Sequence, residues 1–422
     1  MSQKQPPSSA RPKIASEYEC VVVGGGPGGC TTAALVAEAG YSTLLVERES
    51  VPRFHVGESL MPEVYWTLER LGVLPKMSEL GFVPKVGVQF VTHKGKESQP
   101  FFFQEHDPRE SSTTWHVERA TFDNMLFENA TDKGATCVDQ TRVVDVNLDA
   151  GGRSVVVQNE SGKATVRAKV IVDATGQSAL FANRLGLRED NQQLRKASIW
   201  TYYRGAERCE EGRNRTIILH TNNKKSWFWY IPLQDDIVSV GVVGDNDYLL
   251  KGGETPEQTF QQELAQCDAV AARVACGEQL GKYHAAKEFS YNTTQHAGEG
   301  WVLVGDAFGF IDPVYSSGVY LALKSGELAA DAIIDGLRAD DVSGEQLGQW
   351  ADDFKQGVIW IRKLVHAFYT NDFSFGMFLK EHPQYAGNLT DLLIGRVFTE
   401  DAGEIFNDMD PVLQRMGGSP EM

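Results

Sequence analysis

The sequence predicts an α/β fold: a doubly wound parallel sheet, a β-rich second domain and a helical C-terminal region. Three observations predict it. Tyr18-Glu19-Cys20-Val21-Val22-Val23 is an apolar run of strand length that ends in glycines and leads into small apolar residues at helical spacing. From about 84 to 115, and again from about 197 to 244, the pattern changes to alternation with aromatics. From 344 to 416 the spacing is helical and carries Trp360, Phe368, Tyr369, Phe373, Phe375 and Phe378.

The first strand passes through Gly24-Gly25-Gly26-Pro27-Gly28-Gly29 into a helix over 30–39, which Gly40 stops; Thr43-Leu44-Leu45-Val46-Glu47 is the second strand. In such a Rossmann-like unit Gly24 permits the tight turn, Gly26 lets a pyrophosphate approach the backbone and Gly29 lets helix pack on strand. The free N–H groups of the helix N-terminus then face the phosphates. Glu47 ends the second strand, where an acidic side chain can accept from both hydroxyls of a ribose, and Arg48 beside it joins the expected nucleotide-binding set.

Farther along, 122–133 reads as a helix, and 155–158 and 164–172 as strands returning to the first domain. Ser198-Ile199-Trp200-Thr201-Tyr202-Tyr203 and Val238-Ser239-Val240-Gly241-Val242-Val243 belong to a mixed or antiparallel sheet in a second layer. The segment 256–276 reads as helical. Trp301-Val302-Leu303-Val304 is another buried strand, running into Gly305-Asp306, and a long helix follows over 318–337. These patterns divide the chain into a loose tail (1–16), a discontinuous nucleotide-binding domain (17–83, 116–196 and 285–340), a β-rich substrate-side domain (84–115 and 197–284) and a helical region (341–422).

A formal net charge of −17 argues against a general nucleic-acid or anionic-membrane binder, because both need a basic face. No apolar run approaches the roughly 20 residues that span a bilayer. The stretch 1–16 is polar and Pro/Ser-rich without an apolar core, so it reads as a tail rather than a signal peptide. The six cysteines are scattered without a C-x-x-C pair and read as small buried hydrophobes in a reducing compartment. A cytoplasmic enzyme without a metal centre is expected.

Val302-Leu303-Val304-Gly305-Asp306-Ala307 resembles the G-D motif of the p-hydroxybenzoate hydroxylase-like flavoproteins, in which the aspartate, here Asp306, binds the ribityl chain of FAD. Trp115-His116-Val117-Glu118-Arg119, followed by Phe122, Asp123 and Leu126, is similar to the arginine segment of that superfamily, which implies that Arg119 contacts the flavin. Asp173-Ala174-Thr175-Gly176-Gln177-Ser178 departs from the D-G motif through which those hydroxylases reach NAD(P)H. The departure implies that reduced FAD arrives by diffusion from a separate flavin reductase.

Trp227-Phe228-Trp229-Tyr230-Ile231-Pro232 alone reads as a buried aromatic strand. Beside the glycine fingerprint it resembles the W-x-W-x-I-P motif of flavin-dependent halogenases. Two further matches accompany it, Gly57-Glu58-Ser59 after Arg53, and Lys85 within Phe82-Val83-Pro84-Lys85-Val86-Gly87-Val88-Gln89-Phe90. The resemblance covers about 18 to 400. It implies that reduced FAD, O2 and chloride or bromide give hypohalous acid, which Lys85 delivers to an electron-rich ring as a haloamine or by hydrogen bonding. A desolvated lysine suits either task, because its lowered pKa yields a nucleophilic amine or a directed N–H donor. The resemblance further implies that Gly57, Glu58, Ser59 and Pro313 adjoin the isoalloxazine and that backbone N–H groups at Ser317 and Gly318 hold the halide. Trp227 and Trp229 share one strand face and would wall the flavin from the substrate.

Tyr315 stands where tryptophan halogenases carry a glutamate, so the resemblance is to the phenol or pyrrole type. Tyr315, Phe368 and Tyr369 are the candidates for the substrate pocket, and the substrate is a small aromatic, free or tethered to a carrier protein. The rival readings are a flavin monooxygenase or isoprenoid double-bond reductase of the same fold, which would not need Lys85, and a non-catalytic FAD-binding protein, which would show no halide dependence.

Overall fold

A computed structural model describes residues 12–250, 252–370 and 373–417, with the side chains of 288 and 289 excepted. Most of the expected tail (1–11) and the last part of the helical region (418–422) lie outside the described residues. The strands in chain order are β1 (Glu17–Val23), β2 (Thr43–Val46), β3 (Val83–Lys85), β4 (Gly87–Val91), β5 (Phe101–Phe102), β6 (Thr114–His116), β7 (Thr136–Val138), β8 (Arg142–Asn147) and β9 (Ser154–Asn159). They continue with β10 (Gly162–Asp173), β11 (Arg188–Arg204), β12 (Arg215–His220), β13 (Ser226–Pro232), β14 (Ile237–Asp245), β15 (Glu278–Thr293), β16 (Ala297–Gly298) and β17 (Trp301–Leu303).

Cys20, Val21 and Val22 of β1 are wholly buried, as a strand covered on both faces must be. It pairs in parallel with β10 and β2 in a sheet ordered β16-β17-β10-β1-β2-β7, to which β9 and β8 are added as an antiparallel flank on β10. The helix Pro27–Glu38 and the long helix Ser317–Ala339 pack together through facing glycines: a Cβ on Gly326 would lie 2.5 Å from the Gly28 oxygen. Thr32 fastens the crossing by donating from Oγ1 to Gly326 O at 3.0 Å.

The second sheet is ordered β15-β11-β14-β13-β12-β4-β5 and is antiparallel except where β12 meets β4. All seven residues of β13 are buried, and its alternation assigns them to two cores. Trp227, Trp229 and Ile231 join the core shared with the first sheet, while Phe228 and Tyr230 pack with Phe260, Val270 and Val274 of the helices Pro256–Leu264 and Asp268–Val274.

Several boundaries differ from expectation. The divisions at 196/197 and 284/285 fall inside β11 and β15, because each is one long strand whose pairing continues past a bulge between Asp190 and Arg195. The helix anticipated over 256–276 is two, separated at 265–267. That anticipated over 122–133 begins at Arg119, where the Glu118 carboxylate caps the Thr121 N–H at 3.0 Å. Within 84–115 only β4 and β5 reach the second sheet; β3 and β6 pair separately, with Lys85 opposite Thr114. The polar run 104–114 breaks the alternation into the turn of helix Phe103–His106 and a 3-10 turn at Glu110–Ser112.

Gly241 marks where the two layers leave no spare room. A Cβ there would lie 2.1 Å from Trp229 Cζ2. Gly241→Ala is therefore expected to lower unfolding free energy by about 1–3 kcal/mol through overpacking, read as an earlier urea midpoint. Trp229→Phe in the same chain should recover part of the loss, and a midpoint unmoved by Gly241→Ala would contradict the packing.

Candidate active site

A cavity of about 460 Å³ opens between the glycine turn, the segment 53–59, β13 and the start of the helix Ser317–Ala339. Its floor is the glycine turn. Gly24 has φ +114°, and a Cβ on it would lie 2.2 Å from the Ala174 oxygen, so only glycine serves there. The helix Pro27–Glu38 starts at Gly26 with no side-chain cap and no acid in its first turn, leaving its N–H groups turned to the cavity for an anion. Glu47 accepts from Gly25 N through Oε2 and from Glu49 N through Oε1, both at 2.9 Å, so it shapes the turn while lining the cavity. Arg48 lines the same wall but extends toward solvent beside Glu49.

Asp123 anchors the opposite wall. Its buried carboxylate accepts from Arg119 Nε at 2.8 Å and Nη2 at 3.1 Å, and from Arg53 Nη1 at 2.9 Å. Burial works to raise its pKa, and the two guanidiniums overcome this and hold it below the usual carboxylate range. Arg119 Nη1 then reaches back to the Val56 oxygen at 2.7 Å, which ties the segment carrying Gly57, Glu58 and Ser59 to the same ion cluster. Glu58 accepts from Tyr202 Oη at 2.7 Å through Oε1, whereas its buried Oε2 has no partner within hydrogen-bonding geometry among the described residues. Burial pushes its pKa up, against Ser239, Tyr202 and Arg119.

Asp306 and Pro313 line the cavity beyond Gly305. Burial pushes Asp306 up to about 6, with Arg119 working against it. Ser316 (φ +60°) is the uncapped N-terminal residue of the long helix; Ser316 and Gly318 line the cavity, and the side chain of Ser317 is buried. Trp227, Trp229 and Ile231 form the wall facing this floor. The two indoles are held by hydrogen bonds, Trp227 Nε1 to Tyr369 Oη at 3.0 Å and Trp229 Nε1 to Ser239 Oγ at 3.1 Å.

Lys85 does not line this cavity. The residue is 2% exposed, and its amine donates to Ser59 Oγ at 2.9 Å and to Leu60 O at 2.8 Å and lies 5.6 Å from the Phe103 ring. Burial alone lowers its pKa to about 7, and no carboxylate pairs with it among the described residues.

Of the three expected substrate-pocket residues, Tyr315 is buried with its hydroxyl donating to Leu364 O at 3.3 Å, and Phe368 packs edge-on against Trp227 and face-on against His220. Both are core contacts outside the cavity lining. Tyr369 is drawn toward it by Asp312, a lining residue that accepts the tyrosine hydroxyl at 3.1 Å. Burial pushes Asp312 up to about 6, opposed by Val314 N–H, Lys196 and Tyr369. Sequence reading passed over Asp312, Arg53, Asp123, Thr216 and His116 as functional groups. Asp312 follows Gly305-Asp306 closely and Asp123 lies one helical turn past Arg119, both visible in sequence; Arg53, Thr216 and His116 sit on a loop and two strands that meet only in the fold.

Comparison with known proteins adds the chemistry. The family model described as tryptophan halogenase matches residues 19–107 and 99–375. The chain belongs to this halogenase family. It is similar to the 1H-pyrrole-2-carbonyl-[peptidyl-carrier protein] chlorinase of Pseudomonas fluorescens, with 29% identity over 96% of this chain and 95% of the relative. It is also similar to the corresponding brominase of Pseudoalteromonas luteoviolacea, with 32% identity over 77% of this chain and 79% of the relative. Among solved structures, the flavin-dependent brominase Bmp2 superposes with a TM-score of 0.85 at 27% identity, covering 94% of this chain and 99% of Bmp2.

The protein is thus a flavin-dependent halogenase, and its residues fit FAD: an uncapped helix end at a glycine turn, a cavity running from that turn to the tryptophan wall, and the orphaned Glu58 Oε2 beside it. No helix among the described residues is long and apolar enough to cross a membrane.

The buried amine gives this halogenase a pH signature. Lys85 has a folded pKa near 7 against an ordinary 10.5, so between these values the unfolded chain binds the extra proton and stability rises with pH. Below pH 7 the cost of burying the ammonium is present in full. Lys85→Met should therefore exceed the wild type in urea stability most at about pH 6, with the gap closing toward about pH 10. A gap independent of pH would show that Lys85 is not buried as an uncompensated amine.

Proposed function

We propose that this halogenase chlorinates or brominates an electron-rich pyrrolic or phenolic ring, with Lys85 delivering the halogen. The observation that carries the proposal is a buried amine without a carboxylate partner among the described residues, hydrogen-bonded to Ser59, a residue that lines the nucleotide cavity. Bound reduced FAD, with O2, supplies the oxidising equivalent that turns halide into hypohalous acid.

Gly24, Gly26, Gly29 and the first turn of the helix Pro27–Glu38 would hold the pyrophosphate, Glu47 and Arg48 would adjoin the ribose, and Asp306 the ribityl chain. Arg119, Gly57, Glu58, Ser59 and Pro313, which line the cavity, would flank the ring system, and the N–H groups of Ser317 and Gly318 at the uncapped helix end suit a halide. Trp227 and Trp229 keep the organic substrate off the flavin, so that only a small species passes. Burial lowers the Lys85 pKa to about 7, so the neutral amine, the form that can take up a halogen, is accessible near neutral pH. The pyrrolic relatives favour a pyrrole-2-carbonyl group on a carrier protein as substrate. Tyr315, with its hydroxyl engaged by Leu364, offers no carboxylate for ring deprotonation of the kind used on tryptophan. We further place the enzyme in the cytoplasm, where a separate flavin reductase supplies reduced FAD by diffusion.

The test is an assay with FAD, a flavin reductase, NADH, O2 and bromide or chloride, offering carrier-bound pyrrole-2-carbonyl and simple phenols. A product with the halogen isotope pattern is expected; halide-independent hydroxylation would replace this reading by the monooxygenase. Lys85→Ala should consume O2 with bound FAD yet lose product by about 10²-fold or more. Asp306→Ala should instead weaken FAD binding by about tenfold, measured by flavin fluorescence. Retained halogenation in the lysine variant would remove Lys85 from the mechanism.

A further inference from the structure

Lys85 is the first member of a buried hydrogen-bond chain that crosses from the small β3–β6 pair to the large sheet. From its amine the chain runs through Ser59 Oγ to Thr216 Oγ1 (2.9 Å), then to His116 Nε2 (2.9 Å), and from His116 Nδ1 to the Pro232 oxygen (3.1 Å). Lys85, Ser59, Thr216 and His116 are all buried. Backbone pairing holds the register, with Ser59 bridged to His116 and Val117 N donating to Glu58 O at 2.7 Å.

The direction of every hydrogen in this chain is set from its far end. A carbonyl oxygen can only accept, so Nδ1 of His116 carries the proton. Burial, with the charges of Lys85 and Arg208 adding to it, keeps His116 well below the usual imidazole pKa, so the ring is neutral and Nε2 accepts. Thr216 therefore donates its one hydrogen to Nε2 and must accept from Ser59. Ser59, its hydrogen spent, can only accept from Lys85.

We propose that His116 is a positioning residue for halogen delivery: through Thr216 it locks Ser59 as an acceptor and so keeps the lone pair of neutral Lys85 uncovered. This rests on the role of Lys85 proposed above. Ser59 Oγ and Leu60 O take both N–H bonds of the neutral amine, and the lone pair is its one remaining position. In delivery as a haloamine, Nζ bonds the halogen of hypohalous acid, the halogen–oxygen bond breaks, and the departing hydroxide leaves as water with one N–H proton. A Ser59 hydroxyl free to turn would donate to the lone pair and block that attack. It would also favour the neutral amine, so cutting the chain must lower the pKa of Lys85 while reducing delivery. Among the described residues the charges that act on His116 are Lys85 and Arg208, the latter held by the Leu233 and Ile237 oxygens, while Glu58, next to Ser59, is held by Tyr202 and lies near Arg119 and Glu118.

Thr216→Val cuts the chain, Thr216→Ser restores its hydroxyl, and His116→Phe cuts it from the other side should the valine variant fold poorly. A titration of the Lys85 side chain by NMR, using isotope-labelled lysine and Lys85→Arg for assignment, should show the pKa about one unit lower in Thr216→Val and His116→Phe, and unchanged in Thr216→Ser. In the holoenzyme with flavin reductase, bromide and carrier-bound pyrrole-2-carbonyl, product per O2 consumed should fall about tenfold in the two cut variants and return in Thr216→Ser. A Lys85 pKa that ignores the cut, or a coupling ratio equal to the wild type in both cut variants, overturns the lock. If the wild type makes no halogenated product, the proposed function fails, while the titration still decides whether the chain orients Lys85.

Discussion

An amine sealed from water without a counter-charge is the constraint around which this site is arranged. Burying a lysine costs free energy that a carboxylate would offset, and a carboxylate would also hold the amine charged and useless as a nucleophile. The fold gives Lys85 neutral acceptors instead, Ser59 Oγ and Leu60 O, and places it opposite Thr114 in a two-stranded sheet separate from the larger ones. The partner strand β6 carries His116 and leads to Arg119, so the lysine and the arginine that lines the cavity are set by one short segment.

Electrostatics elsewhere are kept away from that amine. The guanidiniums of Arg53 and Arg119 converge on Asp123, not on Glu58, and their cluster fastens the 53–59 segment by the Arg119 bond to Val56 O. Glu58 is left half-satisfied at the cavity wall, the kind of buried polar deficit that a bound cofactor can meet. The tryptophan wall is rigid for a related reason. Each indole N–H has a partner, and Gly241 admits the Trp229 ring where any side chain would collide with it.

Much of the architecture was legible in the chain because it depends on local periodicity. The β1–turn–helix unit, the long helix after Gly305-Asp306 and the aromatic strand β13 all lie where pattern and glycine placement put them. Alternation alone also divides β13 between two cores. What local pattern does not give is the non-local pairing. Lys85 lies in a strand of three residues, too short to show a period, whose pairing partner is about thirty residues away. The side chains of Tyr315 and Phe368 make core contacts outside the nucleotide cavity, and an aromatic on a helix or loop carries no mark in sequence of which way it faces.

What the sequence by itself determined is the chemistry available: a dinucleotide turn, a paired-tryptophan strand and a lysine after a Gly-Glu-Ser segment, each readable because few residues in fixed order specify it. Only the tertiary structure decided how that chemistry is poised. The pKa of Lys85 and the hydrogen-bond direction of Ser59 depend on burial and on Thr216 and His116, which reach them from another sheet and another strand. Burial and hydrogen-bond direction are properties of a packed environment, and no run of adjacent residues records them.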